Sequence, residues 1–155
     1  MTDETKQQLL ALADRVEAAT GADREIDGAI DRLVNKRPKD GDYDQSERAL
    51  WQVRDGYSGL LVRGDGFARG SFCAPAYTAS IDAAMSLVPD GTGFDVNRYW
   101  LASRTVPAWM CEISTGGIPS NPRKVHAAHD AHSAALAICA AALRARALTI
   151  EGAGK

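Results

Sequence analysis

Apolar positions recur along this chain with two periods, which predict helices towards both ends and strands in the middle. From Thr5 to Ala19, Leu9, Leu12 and Val16 form one stripe, widened by Leu10 and Ala13. Gln7, Gln8, Asp14 and Glu17 fall on the opposite face, as in an amphipathic helix. Gly21 ends that helix and Asp23 caps a second, whose apolar side is Ile26, Ile30 and Leu33. Arg24, Glu25 and Asp27 at its start are expected to fix the corner by ion pairs. A further helix is predicted over Tyr77 to Leu87, capped by Thr78 or Ser80, with Ile81, Ala84, Met85 and Val88 on its buried side. Pro89, Asp90 and Gly91 stop it.

The stretch Ser133 to Leu148, SAALAICAAALRARAL, is the element expected to organise the rest. Alanine has the highest helix propensity, no Gly or Pro interrupts the run, and Arg144 and Arg146 lie where the helix dipole favours cations. The pattern predicts a buried C-terminal helix that starts as early as Lys124 or, after a bend, at Asp130. Between these helices the period drops to two. Phe94 to Ala102 and Val106 to Ile113 read as a β-hairpin turning at Arg104 and Thr105, its apolar face covered by the terminal helix. Glu47 to Val53 reads as a helical turn or an edge strand anchored by Trp51, and Leu60 to Val62 as a short strand between glycine-rich turns.

These elements predict an α+β fold: a layered helix/sheet/helix sandwich with a short antiparallel β-sheet and an alanine-rich C-terminal helix. One domain is expected over 1–155, with a polar irregular insert at about 36–71 and a frayed tail at about 151–155. Charge changes this picture little. Eighteen basic against 20 acidic residues, a net charge of -2, argue against a general polyanion binder. Cys73, Cys111 and Cys139 are odd in number and form no C-x-x-C pair, so a reducing, cytoplasmic setting is expected. The opening MTDETKQQLL lacks the apolar core of a signal peptide, and the alanine run carries two arginines, so no membrane crossing is expected.

Chemistry concentrates in one segment. His126, His129 and His132, the three histidines of the chain, form H-x2-H-x2-H. On a continuous helix, successive members are rotated by about 300°, leaving the first and third about 120° apart. A shared metal would need another ligand, and Asp130 points away from His129 on such a helix. No metal or cofactor is therefore expected, and a metal-dependent hydrolase using this cluster is the remote alternative. Cys139 with His132, or Ser71 with a histidine, offers no complete nucleophilic set, and the GDG and STGG sequences lack the lysine of a phosphate loop. Arg123, Lys124, Arg144 and Arg146 make the C-terminal segment basic, a candidate nucleic-acid surface if Tyr99, Trp100 and Trp109 are exposed for stacking. These aromatics are expected instead in the core. Trp51 and Tyr57 are the candidate anchors of a protein interface.

Three stretches carry a family resemblance: LADRVEAATGADREIDGAI from Leu12 to Ile30, APAYTASIDAAMSLVPDG from Ala74 to Gly91, and AHSAALAICAAALRARA from Ala131 to Ala147. Together they resemble the phage ABA sandwich domain family of small phage and prophage proteins, most specifically in YTASIDAAMSLVP. The resemblance implies a layered helix/sheet/helix domain in a phage-derived protein without an established enzymatic role. It carries over no catalytic residues. It implies action in the host cytoplasm on an unknown protein partner, which the host could encode. Related sequences place a threonine–proline pair near the start of the last helix, where this chain has Ser133 and Ala134, and its section from Lys36 to Ser71 is longer and more polar.

Overall fold

The computed structural model describes residues 3–35, 51–54, 57–62, 68–115 and 124–149, and within 51–73 it describes the backbone. The elements are α1 (Asp3–Ala18), α2 (Arg24–Asn35), β1 (Trp51–Arg54), β2 (Tyr57–Val62), β3 (Ala68–Cys73), α3 (Ile81–Met85), β4 (Gly93–Tyr99), β5 (Ala108–Thr115), β6 (Lys124–Ala131) and α4 (Ala134–Thr149). This is a mixed α+β fold in which antiparallel sheet is flanked by helices. The described strands form two sheets of three, in the orders β1-β2-β3 and β4-β5-β6.

α4 lies at the centre. Ser133 caps it, its hydroxyl accepting from Leu136 N–H at 3.2 Å. Every described position of the helix from Ala134 to Leu143 is buried. α1 packs on one side of α4, β5 and β6 on another, and α3 on a third. One-carbon side chains permit that close approach, so the bulk filling the interfaces comes from the neighbours. The neighbours contribute Leu9, Leu12 and Val16 of α1, Cys111 and Ile113 of β5 and Leu87 after α3, and Leu136, Ile138 and Leu143 of α4 add to them. Trp109, expected in the core, is half-buried against it.

α2 packs against β1 and β2. Asp23 caps it, accepting from the amides of Glu25 at 2.8 Å and Ile26 at 3.2 Å. Inside the corner, fully buried Asp27 accepts from Thr78 N–H and from Arg24 Nη1, each at 2.7 Å, so the expected ion pair is formed. Buried Asp31 accepts from the Tyr77 hydroxyl at 3.1 Å and from the Asn35 amide. These contacts hold the 74–80 segment out of the helix predicted from Tyr77. Ser80, rather than Thr78, caps α3, which is only five residues long. Tyr77 and Thr78 instead face α2.

The β4–β5–β6 sheet is a meander. β4 runs against β5 in unbroken register from Gly93↔Ser114 to Tyr99↔Ala108. β6 corrects the sequence reading, because Lys124–Ala131 is a strand paired with β5 and the terminal helix begins only at Ala134. Within the section at about 36–71, where a strand is expected at Leu60 to Val62 and a helical turn or edge strand at Glu47 to Val53, lie β1, β2 and most of β3. The part from 36 to 50, and the tail at 151–155, lie outside the described residues.

Two substitutions test this core. Ile138→Ala should lower unfolding free energy by roughly 2–5 kcal/mol in denaturant melts, since it opens a cavity at the α4 interface. Asp27→Ala leaves the buried Thr78 N–H without its carboxylate and should cost roughly 1–3 kcal/mol. Changes within about 0.5 kcal/mol, the surface range, would reject either assignment.

Candidate functional site

The histidines sit on β6 and around its end, and strand periodicity disperses them. His126 is buried on the face that meets α4, with Ala128 and Ala131. His129, three positions on, is exposed, because an odd spacing in a strand reverses the face. An extra β6 residue then interrupts the register between Cys111↔Ala128 and Trp109↔Ala131. Asp130 occupies this bulge in the left-handed region at φ 63°, a conformation that aspartate tolerates better than most residues. It is clamped there. The Tyr99 hydroxyl donates to its carboxylate, its own N–H donates to the Tyr99 oxygen at 3.2 Å, and Arg104 donates to its carbonyl. His132 lies beyond the strand, its buried Nδ1 without a hydrogen-bond partner among the described residues. No three histidine, cysteine, aspartate or glutamate side chains converge as metal ligands among the described residues. The helical arrangement considered for His126, His129 and His132 does not form.

Environment tunes two groups here. Burial, helped by Lys124, holds the His126 imidazole below its usual pKa. The hydrogen bond to Asp130, then burial, raises the Tyr99 phenol above its own.

The candidate basic residues do not form a surface together. Arg123 lies outside the described residues, and Lys124 is exposed at the start of β6. Arg144 pairs with Glu17 at 2.5 Å and Asp14 at 2.7 Å, and donates to the Ala127 carbonyl at 2.8 Å. Arg146 donates to the Leu87 carbonyl at 2.6 Å, closing the end of the α3 segment. Both arginines are thus engaged inside the fold. Glu17 also accepts from the His129 backbone N–H. Together Glu17 and Arg144 cover backbone groups along the outer edge of β6.

Trp51 and Tyr57 open β1 and β2, and the pairings Trp51↔Leu61 and Arg54↔Tyr57 set them at opposite ends of that ladder. Of the three aromatics expected in the core, Trp109 is half-buried with Arg98 over its ring at 5.9 Å, and Tyr99 is half-buried by Asp130. Trp100 corrects the expectation, at 68% exposed on the β4–β5 connection. Cys111 and Cys139 are buried. Burial pushes the Cys111 thiol up to about 12 and also raises that of Cys139, whose Sγ is 3.2 Å from the Tyr77 carbonyl. A thiol held protonated at neutral pH is not a nucleophile.

Among the described residues, no helix packs on the sheet face turned away from α4. Strand pairing lays out its rows: Gly93, Ser114 and Val125; then Asp95, Glu112 and Ala127; then Asn97 and Met110. Val125 is 48% exposed. Asp95 lies directly opposite Glu112, a like-charge pair that disfavours the hairpin, and Asn97 donates to Asp95 at 2.8 Å. No basic residue stands in these rows. The sequence reading did not single out Asp95 or Glu112, because the pairing depends on where the hairpin turns. The observed strands end at Tyr99 and resume at Ala108, a longer connection than the turn at Arg104 and Thr105 implied.

His126 makes the site pH-sensitive in a definite direction. Its pKa is lower in the folded chain than in the unfolded one, so the unfolded chain binds the extra proton. Stability is full above the ordinary histidine value and declines as pH falls through that value towards the folded one. Denaturant melts from pH 7.5 to 5.0 should show a steeper loss for the native chain than for His126→Gln, and parallel curves would refute the assignment.

Comparison of the chain with family models, curated proteins and solved structures finds no match. The resemblance to the phage ABA sandwich domain family therefore rests on the three stretches quoted above.

Proposed function

We propose that this chain is a non-enzymatic phage or prophage accessory protein that acts by binding another protein. In this reading the partner presents a basic surface to the open face of β4–β6. The observation that carries it is the Asp95–Glu112 pair at the middle of that face. Two carboxylates opposed across neighbouring strands weaken the sheet, and a partner's lysine or arginine lying between them relieves that repulsion. Val125 and Met110 beside them add apolar contact area, the usual companion of a polar rim. The family resemblance supplies the phage context, and a host-encoded protein is the partner it favours.

The nucleic-acid alternative draws less support. Arg144 and Arg146 are tied to Glu17, Asp14 and the Leu87 carbonyl, and an acidic face repels a phosphate backbone.

The test separates binding from folding. Untagged protein is used to capture partners from host lysate, with and without nuclease, at two salt concentrations. A stoichiometric protein surviving nuclease is the expected result. Glu112→Lys should weaken its capture by about tenfold or more, because a cation would meet a cation, an effect of roughly 1.4 kcal/mol. The same substitution should leave stability unchanged or raise it by roughly 0.2–1 kcal/mol by removing the like-charge pair. Recovery of nucleic acid alone, or capture indifferent to Glu112→Lys, would overturn the reading.

A further inference from the structure

The two edges of the β4–β5–β6 sheet are finished differently. On β6, Glu17 takes the His129 N–H and Arg144 gives to the Ala127 carbonyl, so side chains from α1 and α4 occupy one amide and one carbonyl to which another strand would bind. The strand also carries a bulge, which deforms an edge against pairing. β4 has neither protection. It is seven residues long, GFDVNRY, in unbroken register with β5, and contains no proline or lysine. All its residues except Val96 and Tyr99 are exposed. No strand pairs with its outer edge among the described residues. At its two ends stand the exposed aromatics of the described chain, Phe94 at 47% and Trp100 at 68%.

The positions of those aromatics identify the occupant. Phe94 lies three residues before Asn97 and Trp100 three residues after it. We infer that β4 pairs antiparallel with β4 of a second copy of this chain about a two-fold axis at Asn97, joining the two sheets into one of six strands. In that register Phe94 of each copy opposes Trp100 of the other, so one contact covers both exposed aromatics twice. Asp95 opposes Tyr99, Val96 opposes Arg98, and Asn97 opposes its own copy, amide to amide. No like charges stand directly opposite each other. Opposed residues share a face of the sheet, as strand pairing requires, and the contact is self-complementary, as a two-fold interface must be. An unrelated strand would need its own aromatics at the same spacing. This inference is independent of the acidic-face reading, because the joined sheet keeps Glu112 open on both copies.

Analytical ultracentrifugation of the full chain over a range of concentrations tests it. A monomer–dimer equilibrium is expected. Phe94→Glu alone and Trp100→Lys alone should each weaken the dimer by about tenfold, since each loses two aromatic pairs of roughly 0.5–1.5 kcal/mol. Mixed together, the two variants should form a heterodimer tighter than either variant's homodimer. One of its contacts is then Glu against Lys and the other is the native Phe94–Trp100 pair. Both positions are exposed, and circular dichroism confirms that each variant keeps the fold. A chain that stays monomeric up to about 1 mM, where association is worth only about 4 kcal/mol, overturns the inference. So does a dimer indifferent to both substitutions, or a mixture that shows no preference for the heterodimer. A monomer that still captures a protein partner through Glu112 overturns this inference alone. A dimer that captures none overturns the proposed function alone.

Discussion

Burying an alanine helix on all sides sets the terms for everything around it. A helix lined with leucine keeps its neighbours at arm's length and fills the space itself. α4 offers mostly methyl groups, so α1, α3 and the β5–β6 ladder approach closely and must bring their own volume. Tight contact between backbones leaves little space for rearrangement, and small changes of volume at the seam are therefore felt. It also explains where the long polar side chains of α4 occur. Arg144 and Arg146 lie in its C-terminal half, where each reaches past the edge of a neighbouring element to a carbonyl.

Polar groups complete what the small core begins. Asp27 and Asp31 are buried carboxylates on one helix, and both receive hydrogen bonds from the 74–80 segment. Apolar packing alone would let that segment slide along α2. Directed hydrogen bonds to Thr78 N–H and the Tyr77 hydroxyl fix it at one position. Asp130 does the same for the far end of the sheet. A residue in a left-handed conformation is held by Tyr99 from β4 and Arg104 from the connection, so the bulge, the hairpin end and the β4–β5 connection form one braced unit.

Much of this was legible in the sequence, for reasons that also mark the boundary. α1, α2 and α4 carry stripes of three or more apolar residues at helical spacing, and Asp23 caps as its chemistry suggests. β4 and β5 alternate clearly enough to be paired. The earlier of the two expected starts of the terminal helix, Lys124, runs it through β6, because KVHAAHDA is rich in alanine and histidine, whose local preference is helical or neutral. Its strand form comes from pairing with β5 and from Glu17 and Arg144 beyond its edge, contacts more than 100 residues apart in part. The cap at Ser80 was legible, but local pattern also extends that helix back to Tyr77, because the partners that hold Tyr77 and Thr78, Asp31 and Asp27, stand some 50 residues earlier. The open-face carboxylates depend on register, and register depends on the length of a connection that no local pattern specified. Trp100 shows the same limit: hydrophobicity placed it in the core, whereas its position past the end of β4 left it outside.

The guarded outer edge of β6 has a consequence for growth of the sheet. A sheet with two bare edges can add copies at both and has no reason to stop, which is the geometry of a fibre. With Glu17 holding the His129 amide and Arg144 the Ala127 carbonyl in the middle of β6, this sheet has a blocked end and a bare one. Any strand accepted at β4 by a second copy brings that copy's own blocked end to the outside. The assembly closes at two, and a side-chain contact between α1, α4 and a strand edge becomes the terminator of a polymer that would otherwise have no last member.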